Sequence, residues 1–207
     1  MNKIPTLFIR EFNDNGKIKT ITDKITPGLE WVLKGLGEAT IKIDGSCCAI
    51  IDGRFYKRYD AKYGKPIPEN AIKCQEEADH ITGHLPCWVP VNFDSPSDKW
   101  FVSAYTYSSK EEILTNGTYE AIGLHFQNNP YSLNKDILVK HGQHKVDSIF
   151  KAIYEKRTFE TIKDFLSKIN VEGLVYWKDE EPKCKIKRSD FGFEWPDKKG
   201  LPYLWIM

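Results

Sequence analysis

No apolar run in this chain approaches the roughly 20 residues a membrane helix needs, so no spanning helix is expected. An excess of charge of one sign is missing too: 30 lysines and arginines stand against 29 aspartates and glutamates, a net of +1. That excludes nucleic-acid binding by bulk positive charge, but not a basic groove balanced by acid elsewhere. Cysteine is sparse and odd in number: Cys47, Cys48, Cys74, Cys87 and Cys184, two of them adjacent. That is no secreted disulfide framework, and the five read as reduced thiols. The opening Met-Asn-Lys-Ile-Pro-Thr has no hydrophobic signal core, so an intracellular, cytoplasmic protein is expected. Internal repeats and low-complexity segments are lacking as well.

What is present points to a folded chain. A hydrophobic content of 41% and 13% aromatic residues exclude disorder, and 207 residues can build a core without disulfides or metal. Residues 6–12 and 17–22 flank Asn13-Asp14-Asn15-Gly16, a hairpin signal. Residues 46–51 and 54–59 flank Asp52-Gly53, a clearer one, and 39–43 predicts a strand just before it. Five prolines between Pro66 and Pro96 predict a long irregular excursion, with at most a short helix at 70–79. Strand character returns at 100–107, 118–123, 173–177 and 184–187. Thr158 caps a predicted helix whose apolar residues Phe159, Ile162, Phe165, Leu166 and Ile169 recur every three or four positions. The class is α+β built on antiparallel sheet.

Lys42-Ile43-Asp44-Gly45 stands between a strand and a hairpin. A lysine there can project its amine into a cleft, while the glycine lets a phosphate approach the backbone. Alone, the string is a weak signal and reads more readily as a surface lysine before an Asp-Gly turn. Four later features add weight. Arg54, Lys57, Arg58, Lys62 and Lys65 crowd one segment against a single acid, Asp60. Glu120 sits inside an apolar strand, where a carboxylate is costly without a cation, metal or hydroxyl partner. Glu172-Gly173 repeats that arrangement. Lys185 and Lys187 share one strand face, where they repel unless an anion lies between them.

In that order these features resemble the covalent nucleotidyltransferases, the superfamily of DNA and RNA ligases and mRNA capping enzymes. The resemblance narrows on Cys47-Cys48, residues 83–91, Asn129-Pro130-Tyr131, His141-Gly142 and residues 192–196 to the small vertebrate-type 5′–3′ RNA ligases. It implies a single nucleotidyltransferase domain over 1–207, an antiparallel-sheet, ATP-grasp-like adenylation fold. It also implies an ATP-dependent enzyme that joins RNA 5′-phosphate and 3′-hydroxyl ends with Mg²⁺ or Mn²⁺, as in RNA repair. Lys42 would be the nucleophile that becomes lysyl–AMP. Lys185 and Lys187 would supply positive field, and Arg58 would grip a phosphate. Glu120 would engage the ribose or a metal-bound water, and Glu172 would place the metal. Adenine would meet the backbone of Thr40 and Ile41, with Tyr131 one candidate to stack on it.

A free lysine of pKa about 10.4 is neutral only about once in a thousand at pH 7.4, a handicap of about 4 kcal/mol, so a cationic neighbourhood is chemically required. Only 20 residues follow Lys187, so no OB domain is expected behind it, which argues against capping and DNA ligation. RNA would be held by basic residues at 54–65 and 183–199 with exposed aromatics. No membrane and no obligate protein partner are expected. GTP-dependent capping and a non-catalytic RNA-binding module are the rival readings. Cys74, His80, His84 and Cys87 match no common zinc finger and read either as a zinc site or as loop packing.

Overall fold

The chain passes between two units after Lys3, Ile43 and His141 in the computed structural model. Residues 2–15, 18–79, 82–146 and 156–197 are described; expectations resting on Gly16, Lys17, His80 and residues 198–199 lie outside them. The fold is mixed α+β with antiparallel sheets and few helices. No described helix is long and apolar enough to cross a membrane.

The first unit comprises Ile4–Ile43 and Gly142–Met207. β1 (Phe8–Phe12) and β2 (Ile18–Ile25) pair as the expected antiparallel hairpin, and a short α1 (Glu30–Leu33) follows. β3 (Glu38–Lys42) joins β10 (Gly173–Lys178) and β11 (Glu181–Lys187) in a three-stranded sheet ordered β11-β10-β3. Alternation sorts its two faces. Ile41, Leu174 and Ile186 form one buried row, while Thr40, Lys42, Lys185 and Lys187 belong to the other face. Both edges are covered. Leu7 N–H donates to Lys185 O at 2.8 Å, and on the far side Ile41 N–H donates to His144 O at 2.9 Å.

α3 (Phe159–Lys168) begins where expected: the Thr158 hydroxyl accepts from Thr161 N–H, and Ile162, Phe165 and Leu166 are buried. Its last turn leaves carbonyls that need donors. Buried Arg188 supplies them, donating to Leu166 O and Ile169 O. Arg188 follows Lys187 directly, so the same contacts pin the end of β11.

The second unit comprises Met1–Lys3 and Asp44–His141. β4 (Ser46–Ile51), β5 (Arg54–Ala61), β6 (Ile72–Lys73), β7 (Leu85–Pro90), β8 (Gly117–Ile122) and β9 (Ile137–Lys140) make one antiparallel sheet ordered β6-β7-β5-β4-β8-β9. Asp52 and Gly53 both take positive φ, 49° and 72°, as a tight two-residue hairpin turn requires. Cys48, Ile50, Phe55, Tyr119, Ala121 and Leu138 pack with Ala104, Phe101 and Tyr105 of α2 (Lys99–Glu111). Ala49, Tyr56 and Trp88 form a separate cluster that Cys47 and Cys74 join.

Two expectations fail here. Residues 100–107 are helix, not strand: Ser95 accepts from Ser97 N–H, Pro96 opens a 3-10 turn, and α2 follows, so start signals outweigh the strand-forming Trp100, Phe101, Val102 and Tyr105. The proline-rich excursion contains a six-residue strand, β7, whose partners β5 and β6 leave Pro86 and Pro90 tolerable. Residues 70–79 hold β6 and turns and no helix, within the expectation of at most a short one. β9 was not anticipated, since its four residues carry no turn signal of their own.

The core and cap should separate in a stability measurement. Leu174→Ala is expected to cost about 2–5 kcal/mol, because Leu174 is fully buried in the central strand. Thr158→Ala should cost about 1 kcal/mol through its lost cap. Urea melts of both variants check this, and a larger cost at Thr158 would contradict the assignment.

Candidate functional site

Register sets the first group. Gly173 lies opposite Lys42 on one side and Lys187 on the other, so the two lysines flank a position without a side chain. A Cβ there would drive into Ile186 O and sit 2.9 Å from Lys187 Cα, so the glycine is needed for close strand approach. Glu172, one residue earlier and buried, reaches both lysines. Lys42 Nζ lies 2.6 Å from Oε2, and Lys187 Nζ lies 2.6 Å from Oε1. One carboxylate thus joins two ammonium groups.

Lys185 shares this face, opposite Val175. Its pKa is lowered from 10.5 to about 8, first by burial and then by Lys42, Lys187 and Arg10, with Glu172 opposing. Arg10 escaped the sequence reading, because nothing in Ile9-Arg10-Glu11 marks it. It donates twice to Asp190, whose other oxygen accepts from Lys187 N–H at 2.8 Å. Arg10 therefore both charges and braces the end of β11. Four cations against Glu172 and Asp190 make a site suited to an added anion such as phosphate.

The backbone expected to meet adenine is engaged. Ile41 N–H donates to His144 O, while at Thr40 it is the side chain that is held, its Oγ1 accepting from Trp177 Nε1 at 2.9 Å. In the second unit, Tyr131 is buried and its hydroxyl accepts from Asp44 N–H at 2.7 Å, which orders the turn after Lys42-Ile43. Gly45 is needed for packing: a Cβ there would meet Ala121 O and lie 2.6 Å from Ile122 Cγ2.

Glu120 forms the second group, on β8 opposite Cys47 of β4 and Val139 of β9. It is buried, and its Oε2 has no hydrogen-bond partner. His141 Nε2 lies 3.4 Å from Oε1, and its Nδ1 is 2.8 Å from Thr118 Oγ1. Burial pushes the Cys47 thiol well up, with Glu120 adding and Arg58 opposing. Arg58 itself pairs with Asp60 at 2.9 Å, and Lys57 pairs with buried Asp98. Arg54, Lys62, Lys65 and Tyr63 are exposed on the same stretch of chain.

Known proteins add a direction. No family model matches the chain. It is 24% identical to zebrafish (Danio rerio) RNA ligase 1 over an alignment that spans 269 positions with its gaps and covers 94% of this chain and 82% of that protein. It is also 24% identical to rat (Rattus norvegicus) RNA ligase 1 over 231 residues, covering 76% of this chain and 68% of that one. Both comparisons point to RNA ligases.

Lys185 carries a testable pH signature. Its folded pKa lies below its unfolded value, so between about pH 8 and 10.4 the unfolded chain holds the extra proton and stability rises with pH. Below about 8 the full penalty is present. Lys185→Met should raise the melting temperature near pH 7 and flatten the rise between pH 8 and 10. Thermal melts across that range check it; an unaltered slope would remove Lys185 as its source.

Proposed function

We propose that the chain is an ATP-dependent RNA ligase, joining RNA 5′-phosphate and 3′-hydroxyl ends, its two units serving as one nucleotidyltransferase domain. The observation that carries this reading is the Lys42–Glu172–Lys187 arrangement with Lys185 on the same sheet face. The similarity to RNA ligases supports it.

The residues suit the chemistry step by step. Glu172 holds Lys42 and Lys187 in place, and nucleotide phosphate offers Lys187 and Lys185 a further anion. In neutral form, Lys42 Nζ attacks the ATP α-phosphorus: an N–P bond forms, the P–O bond to pyrophosphate breaks, and the proton lost by the amine passes to solvent. Lys185, Lys187 and Arg10 favour that deprotonation and offset the charge that builds on the phosphate oxygens. AMP then passes to the RNA 5′-phosphate, breaking the N–P bond and restoring Lys42. A 3′-hydroxyl attacks the 5′-phosphorus, and AMP leaves. Glu172 is the carboxylate in contact with the lysines, and it suits a hard Mg²⁺ bound by one acid with phosphate and water. Bound there, the ion would add electrostatic stabilisation of phosphate charge. Arg58 is assigned a phosphate from its place in the chain. Exposed Arg54, Lys62, Tyr63 and Lys65 provide charge and stacking for single-stranded RNA.

Radiolabelled ATP with Mg²⁺ or Mn²⁺ should label the wild-type chain through an acid-labile, base-stable bond, and Lys42→Ala should not label. Glu172→Gln and Lys187→Ala should each lose at least about tenfold in labelling rate, as expected when a charge partner of the reacting groups is removed. A labelled chain supplied with 5′-phosphorylated RNA should then release AMP and seal ends. Labelling by GTP alone would favour capping chemistry. Labelling by neither nucleotide, with RNA still bound, would leave only an RNA-binding module.

A further inference from the structure

The environment of Glu120 does not suit a hard ion. A buried carboxylate oxygen without a partner is costly, and such an atom calls for an ion, a proton or an ordered water. Its neighbours are a thiol and an imidazole. One ligand atom each from Cys47, Glu120 and His141 lies within 4.8 Å of the others. Three adjacent strands arrange this. Cys47 on β4 is directly opposite Glu120 on β8. Thr118 lies two residues before Glu120 on the same strand face, and His141 N–H donates to Thr118 O at 3.0 Å, which continues the β8–β9 ladder.

We propose that Cys47 Sγ, a carboxylate oxygen of Glu120 and His141 Nε2 are three ligands of a Zn²⁺ ion, with a fourth tetrahedral position open. A tetrahedral zinc with ordinary bond lengths holds its N and O ligands about 3.3–3.5 Å apart. His141 Nε2 and Glu120 Oε1 stand 3.4 Å apart, longer than an ordinary N–H···O bond and right for two ligands of one ion. Thr118 Oγ1, 2.8 Å from Nδ1, fixes the ring and can accept the Nδ1 proton, which leaves Nε2 bare toward the site. Thiolate plus carboxylate carry two negative charges and neutralise Zn²⁺, whereas Mg²⁺ would find a single oxygen-bearing side chain among its ligands. Cys47 and His141 are only partly buried, which leaves an entry path. The site goes beyond the ligase reading and does not depend on it, because zinc binding is measured without nucleotide or RNA.

The test uses the full chain, reduced and stripped of metal. Zinc titrated against a chromophoric chelator should bind at one ion per chain. Co²⁺ should give thiolate charge-transfer absorption with tetrahedral d–d bands. Cys47→Ser and His141→Gln should each weaken zinc binding at least about a hundredfold and remove the thiolate or tetrahedral signature respectively. Thr118→Val should weaken it about tenfold or more, as loss of an outer-shell partner does. Cys74→Ala should leave it unchanged. Circular dichroism monitors the fold of each variant; if Cys47→Ser does not fold, the wild-type cobalt spectrum and His141→Gln decide. No micromolar binding by the wild type, unchanged affinity in Cys47→Ser, or loss in Cys74→Ala instead would each overturn the proposal. Loss of zinc binding with Lys42 labelling intact would sink this site alone, and the reverse would sink the ligase reading alone.

Discussion

A single carboxylate shared between two lysines is the constraint on which the first unit depends. Glu172 is buried, and each oxygen holds one ammonium at 2.6 Å. That geometry needs three strands in one register, because Lys42, Gly173 and Lys187 must fall in a row across β3, β10 and β11. It also needs glycine between the lysines, since any Cβ would force β10 and β11 apart. The opposite face supplies the stability that holds this arrangement, through the buried row Ile41, Leu174 and Ile186. Arg188 then locks the end of β11 to the last carbonyls of α3, and Arg10 braces it through Asp190.

The electrostatic balance follows from that geometry. A buried ion pair is a weak source of net stability, because desolvation offsets much of its Coulomb gain. Its value lies in what it poises. Lys185 has its pKa lowered first by burial and then by the excess of positive charge from Lys42, Lys187 and Arg10. An added anion would relieve that excess, because it would meet several cations at once. The overall charge of +1 conceals this, because acids elsewhere cancel a local surplus.

Much of this group was legible in the sequence for a simple reason: Lys185 and Lys187 lie at every-second-residue spacing, and Glu172 and Asp44 precede glycines at strand boundaries. The hairpin at Asp52-Gly53 and the helix after Thr158 were legible through turn and cap chemistry. Residues 100–107 were not, because their aromatic and β-branched side chains favour strand locally, whereas Ser95-Pro96 and packing on the sheet decide for helix. Arg10 was invisible because its importance depends on Asp190, 180 residues away. The surroundings of Glu120 were hidden likewise: Cys47 and His141 meet it only through cross-strand register, which no local pattern announces.

The two buried acids show how one residue type is turned to different chemistry by its neighbours. Glu172 is held by two hard, strongly hydrated ammonium groups, those of Lys42 and Lys187. Glu120 faces a thiol and an imidazole, polarizable groups that prefer a borderline metal. A thiol beside Glu172 would leave that buried carboxylate without a cationic partner. Lysines beside Glu120 would satisfy its unpartnered oxygen and leave no position for an ion. The distinction is therefore carried by cross-strand partners, Lys42 and Lys187 across Gly173 in one sheet and Cys47 across Glu120 in the other. Strand register is thus the level at which this chain assigns a chemical role to each acid.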